Sequence, residues 1–473
     1  MANIKFYDSK LKKKIEFKPL KDGEVSFYLC GPTVYDLAHL GHGRSAVAFD
    51  VIRRYFEYRG YDVNFISNYT DIDDKMIKRA REEKITVSEL ADKVIPEYEK
   101  DYGSLGISHP TVQPRATDEK YISAMKELID KLFDGGFAYE IDGDGIYFDV
   151  SKYNKYGEFS GQVLEDLKVG ARVDVDERKN NPYDFALWKF KKDEDEPSWK
   201  SPCGIDAEGR PGWHIECSAM SRVELGDKFD IHGGGLDLKF PHHECEVAQS
   251  KCAYGEDSFA RHWIHNGFIN IDNEKMSKSL NNFFTLREIF EKYDPQVVRF
   301  MFLQTHYRNP INFSDKLLDQ AKAGLETIHG FVRKLNFGNV DESTGEPYEA
   351  VYLAEVDNCR KKFEGSMDDD FNTSGALDFS MLKDLVFEAE SKGVRTQAFL
   401  DKVKELISDI NEVLGIMPVD EEEIDTDVEQ LISEREEARK NKDFETSDRI
   451  RDELKARGIE LDDGSNGTIW KRV

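Results

Sequence analysis

At 473 residues the chain is too long for one ordinary domain and, at roughly 100–200 residues each, has room for about three or four. Its 39% hydrophobic and 12% aromatic content excludes a disordered polymer, and without an 18-residue apolar run or an apolar leader behind its first lysines a cytoplasmic protein with no membrane segment is expected. Six scattered cysteines exclude a disulfide scaffold, whereas the net charge of −27 excludes a nucleic-acid partner only if it is evenly spread, because counterion release depends on local Lys and Arg.

Glu24 to Cys30 reads as a buried strand ended by Gly31-Pro32-Thr33. From about Gly43 to Arg59, Ala46, Phe49, Ile52 and Phe56 share one helical face, Gly60 supplies a stop, and Asp62 to Ile66 reads as another strand. Strand, helix and strand at this spacing form a βαβ unit and hence a parallel sheet. An insertion is expected from about 116 to 204, with a helix near Glu119–Phe133 and a hairpin over Phe137–Val150. The α/β pattern then resumes: a helix over Trp213–Leu225, a short strand Lys228–His232 ended by Gly233-Gly234-Gly235, and a helix over His242–Ala253. Beyond about 314, Leu318, Ala321, Leu325, Ile328, Val332 and Leu335 alternate three and four apart, which predicts a bundle helix. An acidic run from Asp420 reads as a solvated linker, and helices with a terminal hairpin close the chain over about 431–473.

Two short motifs carry chemistry. His39-Leu40-Gly41-His42 opens the first long helix, where exposed N–H groups and the helix dipole suit a triphosphate. A match of that form arises in roughly one chain in fifty and decides nothing alone. Lys275-Met276-Ser277-Lys278-Ser279 is far rarer, roughly one chain in several thousand, and its lysines can neutralise charge on departing pyrophosphate. Metal-binding residue types gather elsewhere. Cys30 ends the first strand, Cys217 lies in Gly212-Trp213-His214-Ile215-Glu216-Cys217, and His242 and Glu246 share a helix face four residues apart. Two thiolates, an imidazole and a carboxylate suit tetrahedral zinc, although Cys245, His243 and Glu244 are ligand types equally near in sequence.

The ordered pair of histidine and lysine motifs resembles that of the class I aminoacyl-tRNA synthetases. Cys30-Gly31-Pro32-Thr33-Val34-Tyr35-Asp36, the Gly-Trp-His-Ile-Glu-Cys segment and Phe240-Pro241-His242-His243-Glu244-Cys245-Glu246 are similar to motifs of the cysteinyl-tRNA synthetases, and the likeness runs along essentially the whole chain. It implies an α/β fold: a Rossmann-type catalytic domain with a parallel sheet (1–115 and 205–260), a connective insertion (116–204), a stem-contact region with the lysine loop (261–313), a helical bundle (314–418), and a linker with a small mixed α/β anticodon-binding domain (419–473).

The resemblance also implies residue roles. One zinc ion falls to Cys30, Cys217, His242 and Glu246, and the cysteine pocket to Cys30, Thr70, Trp213 and His232. ATP, with Mg²⁺, is assigned to His39, Gly41, His42, Gly235, Asp237 and Lys278, and His39, His42, Lys275 and Lys278 stabilise transferring charge. Two departures are visible, Cys245 where Asn is usual and Asn281 where Gly is usual. The expected reaction joins L-cysteine to AMP and then to tRNA(Cys), on a monomer. From Leu431 to the end, ten Lys or Arg face eleven Asp or Glu, so little of the chain's acidity lies there. Arg435, Arg439, Lys440 and Lys442 can meet a backbone, and Phe444 offers a stacking face. The resemblance puts anticodon contacts at Arg439, Asp448 and Asp463, with Phe444 beside them. The nearest rival is a cysteine ligase for an amino-sugar acceptor, whose members lack the last domain.

Overall fold

The βαβ pattern near the start of the chain sets the architecture that follows. In this computed structural model, which describes residues 3–162, 177–271, 274–275, 283–336, 340–341, 348–417, 426–464 and 467–472, the chain forms two compact units. The first comprises Met1–Pro295, Thr305–Ser314 and Asp368–Asn372, and the second Gln296–Gln304, Asp315–Met367 and Thr373–Val473. Among the described residues no helix is long and apolar enough to cross a membrane.

In the first unit β1 (Lys5–Asp8) and β2 (Lys13–Glu16) make an antiparallel pair. Strand β3 (Glu24–Leu29) leads through α1 (Leu40–Tyr58) to β4 (Asp62–Ser67), and β3 and β4 pair in parallel from Glu24↔Asp62 to Leu29↔Ser67. Helix α1 buries Val47, Val51, Ile52, Tyr55 and Phe56. Helices α2 (Asp74–Glu83) and α3 (Val87–Ser104) follow, the latter opened by a capping box in which Thr86 and Glu89 satisfy each other's backbone N–H groups.

The insertion begins with α4 (Glu119–Asp134), whose buried Tyr121, Ile122, Met125, Leu128, Ile129 and Leu132 follow the helical period. Strands β5 (Ala138–Ile141), β6 (Gly145–Phe148), β7 (Phe185–Phe190), β8 (Trp199–Lys200) and β9 (Glu208–Pro211) form an antiparallel sheet in the order β5-β6-β7-β9-β8. Its last strand lies past residue 204.

Helix α5 (Trp213–Leu225), strand β10 (Lys228–Gly235), helix α6 (His242–Tyr254) and strand β11 (Phe259–Asn266) complete the main sheet, which is parallel throughout in the order β11-β10-β3-β4. Coverage on both faces explains why β10 is buried along nearly its whole length. The chain grows from β3 toward β4 on one side and later places β10 on the other. The order therefore reverses between β3 and β10, and α/β sheets seat ligands outside the strand ends at such a point.

Gly233-Gly234-Gly235 does not end the strand as expected; it continues β10 to Gly235↔Asn266. The reason is crowding. A Cβ on Gly233 would lie 2.5 Å from Phe49 Cε1, and one on Gly234 2.9 Å from His243 Cε1. These glycines let α1 and α6 approach the sheet instead of breaking it.

After β12 (Ile269–Ile271) and β13 (Glu274–Lys275) comes the short α7 (Leu286–Phe290), and β14 (Ile311–Phe313) pairs in parallel with β12. In the second unit α8 covers Pro295–Gln304 from Gln296 on, and α9 (Asp315–Asn336) buries Leu318, Ala321, Leu325, Ile328, Phe331 and Leu335. Phe331 takes the inner place expected of Val332, since three residues after Ile328 stays on the stripe as well as four does. Helices α10 (Tyr348–Asp368), α11 (Thr373–Ala376), α12 (Ser380–Ser391) and α13 (Gln397–Leu414) follow. The last segment holds α14 (Thr426–Lys440), α15 (Phe444–Ala456) and an antiparallel hairpin of β15 (Ile459–Gly464) and β16 (Gly467–Arg472) over a core of Val428, Ile432, Ile450, Leu454 and Ile459.

Candidate active site and metal centre

A cleft of about 380 Å³ opens at the strand-order reversal, and Cys30, His39, His42, Trp213, Gly235 and Asp237 are among the residues lining it. Gly41 lines it too. His39 is the N-cap of α1, and its ring accepts from His42 N (3.3 Å) while His42 Nδ1 accepts from His39 N (3.4 Å). The two rings stack with centroids 3.5 Å apart, and His42 Nδ1 also lies 3.1 Å from the Tyr98 hydroxyl. Both imidazoles thus sit at the positive end of a 19-residue helix, the arrangement that favours anions. Lys275 ends β13, paired with Asn270. Met276 to Ser279, Lys278 included, and Asn281 lie outside the described residues.

Behind Cys30 on the cleft wall, one donor atom each from Cys30, Cys217, His242 and Glu246 falls within 4.8 Å of the others. Metal–ligand bonds of roughly 2.0–2.3 Å require tetrahedral donor separations of roughly 3.3–3.8 Å. Cys30 Sγ lies 3.4 Å from Cys217 Sγ and 3.6 Å from Glu246 Oε1, and His242 Nε2 lies 3.1 Å from Glu246 Oε1. The two separations from Cys30 fall in that range and the His242–Glu246 one slightly below it, so the donor types and spacing approach those that hold a small, borderline-soft divalent ion. Cys30, His232, His243 and Glu246 make a second, overlapping group. Cys245 belongs to neither: it is fully buried with its sulfur 3.3 Å from the Tyr156 hydroxyl.

Burial and mutual proximity set the electrostatics. The Cys30 thiol is pushed well up by burial and by Cys217 and Glu246 beside it, and burial raises Cys217 and Glu246 as well. Burial drives the His242 imidazole well below its ordinary range. These are donors whose metal-binding forms the protein alone disfavours for the thiols and carboxyl, and a divalent cation reverses that balance. His214 Nδ1, 3.0 Å from His242 Nδ1, orients that ring and leaves its Nε2 toward Glu246.

The expected cysteine-pocket residues stand around this cluster. His232 Nε2 lies 2.9 Å from Glu246 Oε2, and its Nδ1 lies 3.1 Å from the Tyr28 carbonyl. Trp213 stacks on His242 at 4.3 Å and keeps 38% of its surface exposed toward the opening. Thr70 donates to Glu216 Oε2 at 2.8 Å. Sequence reading missed Glu216, Asn68 and Tyr98. Glu216 is fully buried and Asn68 accepts from Gly31 N, contacts that only folding creates, although Glu216, three residues after Trp213, is adjacent in helical register. Gly31 is required beside Asn68, since a Cβ there would come 1.6 Å from the Asn68 carbonyl oxygen.

The candidate RNA-contacting residues lie in the second unit. Arg439 is exposed near the end of α14, Phe444 is 65% exposed at the start of α15, and Asp448 pairs with Arg451 at 3.3 Å. The side chain of Asp463, on β15, is outside the described set. Arg435 departs from expectation. It is buried, with Nη1 donating to Thr468 Oγ1 at 3.2 Å, because β16 packs over that face of α14.

Known proteins match this chain along most of its length. The family described as tRNA synthetases class I (C) catalytic domain matches residues 16–323, the DALR domain 362–418, and the cysteinyl-tRNA ligase anticodon binding domain 421–470. A cysteine–tRNA ligase of Clostridioides difficile (strain 630) is 47% identical over 479 aligned positions, covering 99% of this chain and 100% of the relative. Among solved structures, the methionyl-tRNA synthetase of Mycobacterium tuberculosis in complex with methionyl-adenylate has a TM-score of 0.57 at 15% identity, over 83% of this chain and 92% of that one. The LeuRS of Agrobacterium radiobacter, in a ternary complex with tRNA and LeuAMS, has a TM-score of 0.61 at 12% identity, over 85% of each chain. These two share the fold; the sequence relative and the three matched domains go further, and together they make this chain an enzyme of the cysteine–tRNA ligase family, within the class I aminoacyl-tRNA synthetases.

Proposed function

We propose that the protein activates L-cysteine with ATP at the Cys30 end of the cleft and transfers it to the 3′ end of tRNA(Cys). The observation that carries this reading is that Cys30, one of the four clustered donors, lines the same cleft as the paired imidazoles of His39 and His42. Zinc, held by Cys30, Cys217, His242 and Glu246, supplies when bound a soft acceptor that a substrate thiolate occupies and a hydroxyl does not. Thr70, Trp213 and His232 enclose the amino acid, and Trp213 screens the cluster from water.

His39, Gly41, His42, Gly235 and Asp237 orient ATP, with Mg²⁺ on its phosphates, so that the cysteine carboxylate meets the α-phosphate in line. The carboxylate oxygen bonds to phosphorus and pyrophosphate departs with the electrons of the broken P–O bond, its charge met by His39, His42, Lys275 and Lys278. A terminal 2′-hydroxyl then attacks the mixed anhydride, loses its proton and releases AMP. Arg439, Phe444, Asp448 and Asp463 read the anticodon.

The domain limits expected from sequence, 1–115 with 205–260, 116–204, 261–313, 314–418 and 419–473, belong to this proposal, as do a monomeric state and a cytoplasmic location. Cysteine-dependent ATP–pyrophosphate exchange, followed by charging of purified tRNA beside serine and an amino-sugar acceptor, tests it. Exchange with serine, or transfer to the amino sugar in place of tRNA, would overturn it.

A further inference from the structure

Helix α3 reaches both the histidine motif and the segment that follows the lysine motif. Tyr98, fully buried on α3, places its hydroxyl 3.1 Å from His42 Nδ1. Asp101, one turn further along, is buried and lies 3.1 Å from Arg287 Nε at the start of α7. Arg287 also pairs with Glu97, on the same stretch of α3. Just before Arg287 the chain is zipped to the histidine motif itself. His39 and Thr285 form an antiparallel bridge, Leu40 N donates to Phe284 O at 3.2 Å, and Leu286 N donates to Ala38 O at 2.9 Å. The Phe283 ring meets His39 edge-on at 5.0 Å, and a Thr285–Glu288 capping box stiffens the entry to α7.

These contacts close a ring. It runs from His39 to the 283–287 segment, through Arg287 to α3, through Tyr98 to His42, and by the stacked imidazoles back to His39. No member other than the two histidines has a role in the mechanism above. Arg287 keeps about a third of its side chain exposed (33%), so its ion pair contributes little to folding compared with what it does for geometry.

We propose that Arg287 is a positioning residue for the activation step: by bridging Glu97 and Asp101 it ties α3 to the 283–286 segment and holds both imidazoles in register for the triphosphate. Asp101 and Tyr98 are its partners in this, and none of the three touches cysteine. The proposal rests on the activation chemistry proposed above, and its test carries one readout independent of that chemistry.

The full-length, zinc-loaded protein is compared as parent, Arg287→Ala, Arg287→Lys, Tyr98→Phe and the Arg287→Ala/Tyr98→Phe double variant. Misplacement by about 1 Å costs up to roughly 10²-fold in rate. Arg287→Ala should therefore lower kcat for exchange by roughly 10–100-fold, with the cysteine dissociation constant within about twofold and zinc content unchanged. Arg287→Lys, which keeps the charge but not the fork, should recover part of the rate. The double variant should be less impaired than the product of the two single effects, because both act through α3. In histidine-selective NMR, Arg287→Ala should move the His39 and His42 signals and leave His329, in the second unit, in place.

Unmoved His39 and His42 signals, a kcat within twofold of the parent, or single effects that multiply would each overturn the proposal. If the parent shows no cysteine-dependent exchange, the activation reading fails while the histidine signals still decide the coupling. Near-parental melting of Arg287→Ala beside its lowered kcat separates mispositioning from misfolding.

Discussion

The helices of the second unit and the candidate metal pocket of the first bury their side chains on opposite terms. In α13, Phe399, Leu400, Val403, Leu406, Ile407 and Ile410 form one apolar stripe, and its stabilisation scales with the area removed from water. Around Cys30, His232, His243 and Glu246 are fully buried, and each costs free energy to desolvate unless it is paired. The first region is organised for stability and the second for chemistry. Their responses to substitution should separate accordingly.

The largest effect is expected at the pocket. Cys217→Ser should empty the metal site and cut discrimination of cysteine over serine by up to roughly 10⁴, the ratio a strong directional partner provides. Metal analysis with exchange assays on both amino acids checks this; retained zinc and selectivity, with both lost in Cys245→Ser, would move the ligand set to Cys245. Lys278→Ala should lower the exchange rate by roughly 10²–10³ while cysteine affinity barely changes, because the task proposed for it is to meet phosphate charge. Near-normal exchange with weakened cysteine binding would contradict that division of the cleft.

On the other side of the comparison, Leu406→Ala in α13 should destabilise the second unit by about 2–5 kcal/mol and leave exchange per folded molecule within about twofold. Calorimetry and titrated active sites measure the two separately, and a loss confined to catalysis would erase the contrast. The smallest effect concerns pH. Burial lowers His265 to about 3, with its Nε2 2.8 Å from His243 Nδ1. An unfolded imidazole, at about 6.5, binds a proton where the folded one does not, so this contribution is present above about 6.5 and is lost as pH falls toward about 3. Glu244 and Glu246, raised by burial, act with the opposite sign. The difference in unfolding free energy between parent and His265→Asn therefore isolates the imidazole, and it should change by at most roughly 1.4 kcal/mol per pH unit. A pH-independent difference would mean that His265 is not held neutral.

Local patterns were legible in the sequence to the extent that neighbours in the chain are neighbours in space. The βαβ start, α5 and α6 follow from periodicity, and the shared face of His242 and Glu246 follows from their spacing of four. The meeting of Cys30 with Cys217 does not, because it depends on where β10 lies beside β3. The glycine triplet was misread as a stop because a glycine that relieves crowding and one that ends a strand look alike until Phe49 and His243 are placed. Cys245 and Arg435 likewise take their places from Tyr156 and Thr468, partners far off in the chain.

The contact between Gly31 and Asn68 bears on how such a pocket could be retuned. With room for no side chain there, the exit of β3 that presents Cys30 and the exit of β4 that presents Thr70 pack closely, joined by Val34 N–Thr70 O and Thr70 N–Pro32 O bonds and by the Asn68 side-chain oxygen, which accepts from Gly31 N at 2.9 Å. The thiol end and the hydroxyl end of the pocket cannot drift apart independently. For the amino-acid pocket proposed above, admitting a longer substrate would require both loops to be rebuilt as one piece, and exchanging side chains one at a time would meet a wall of main chain.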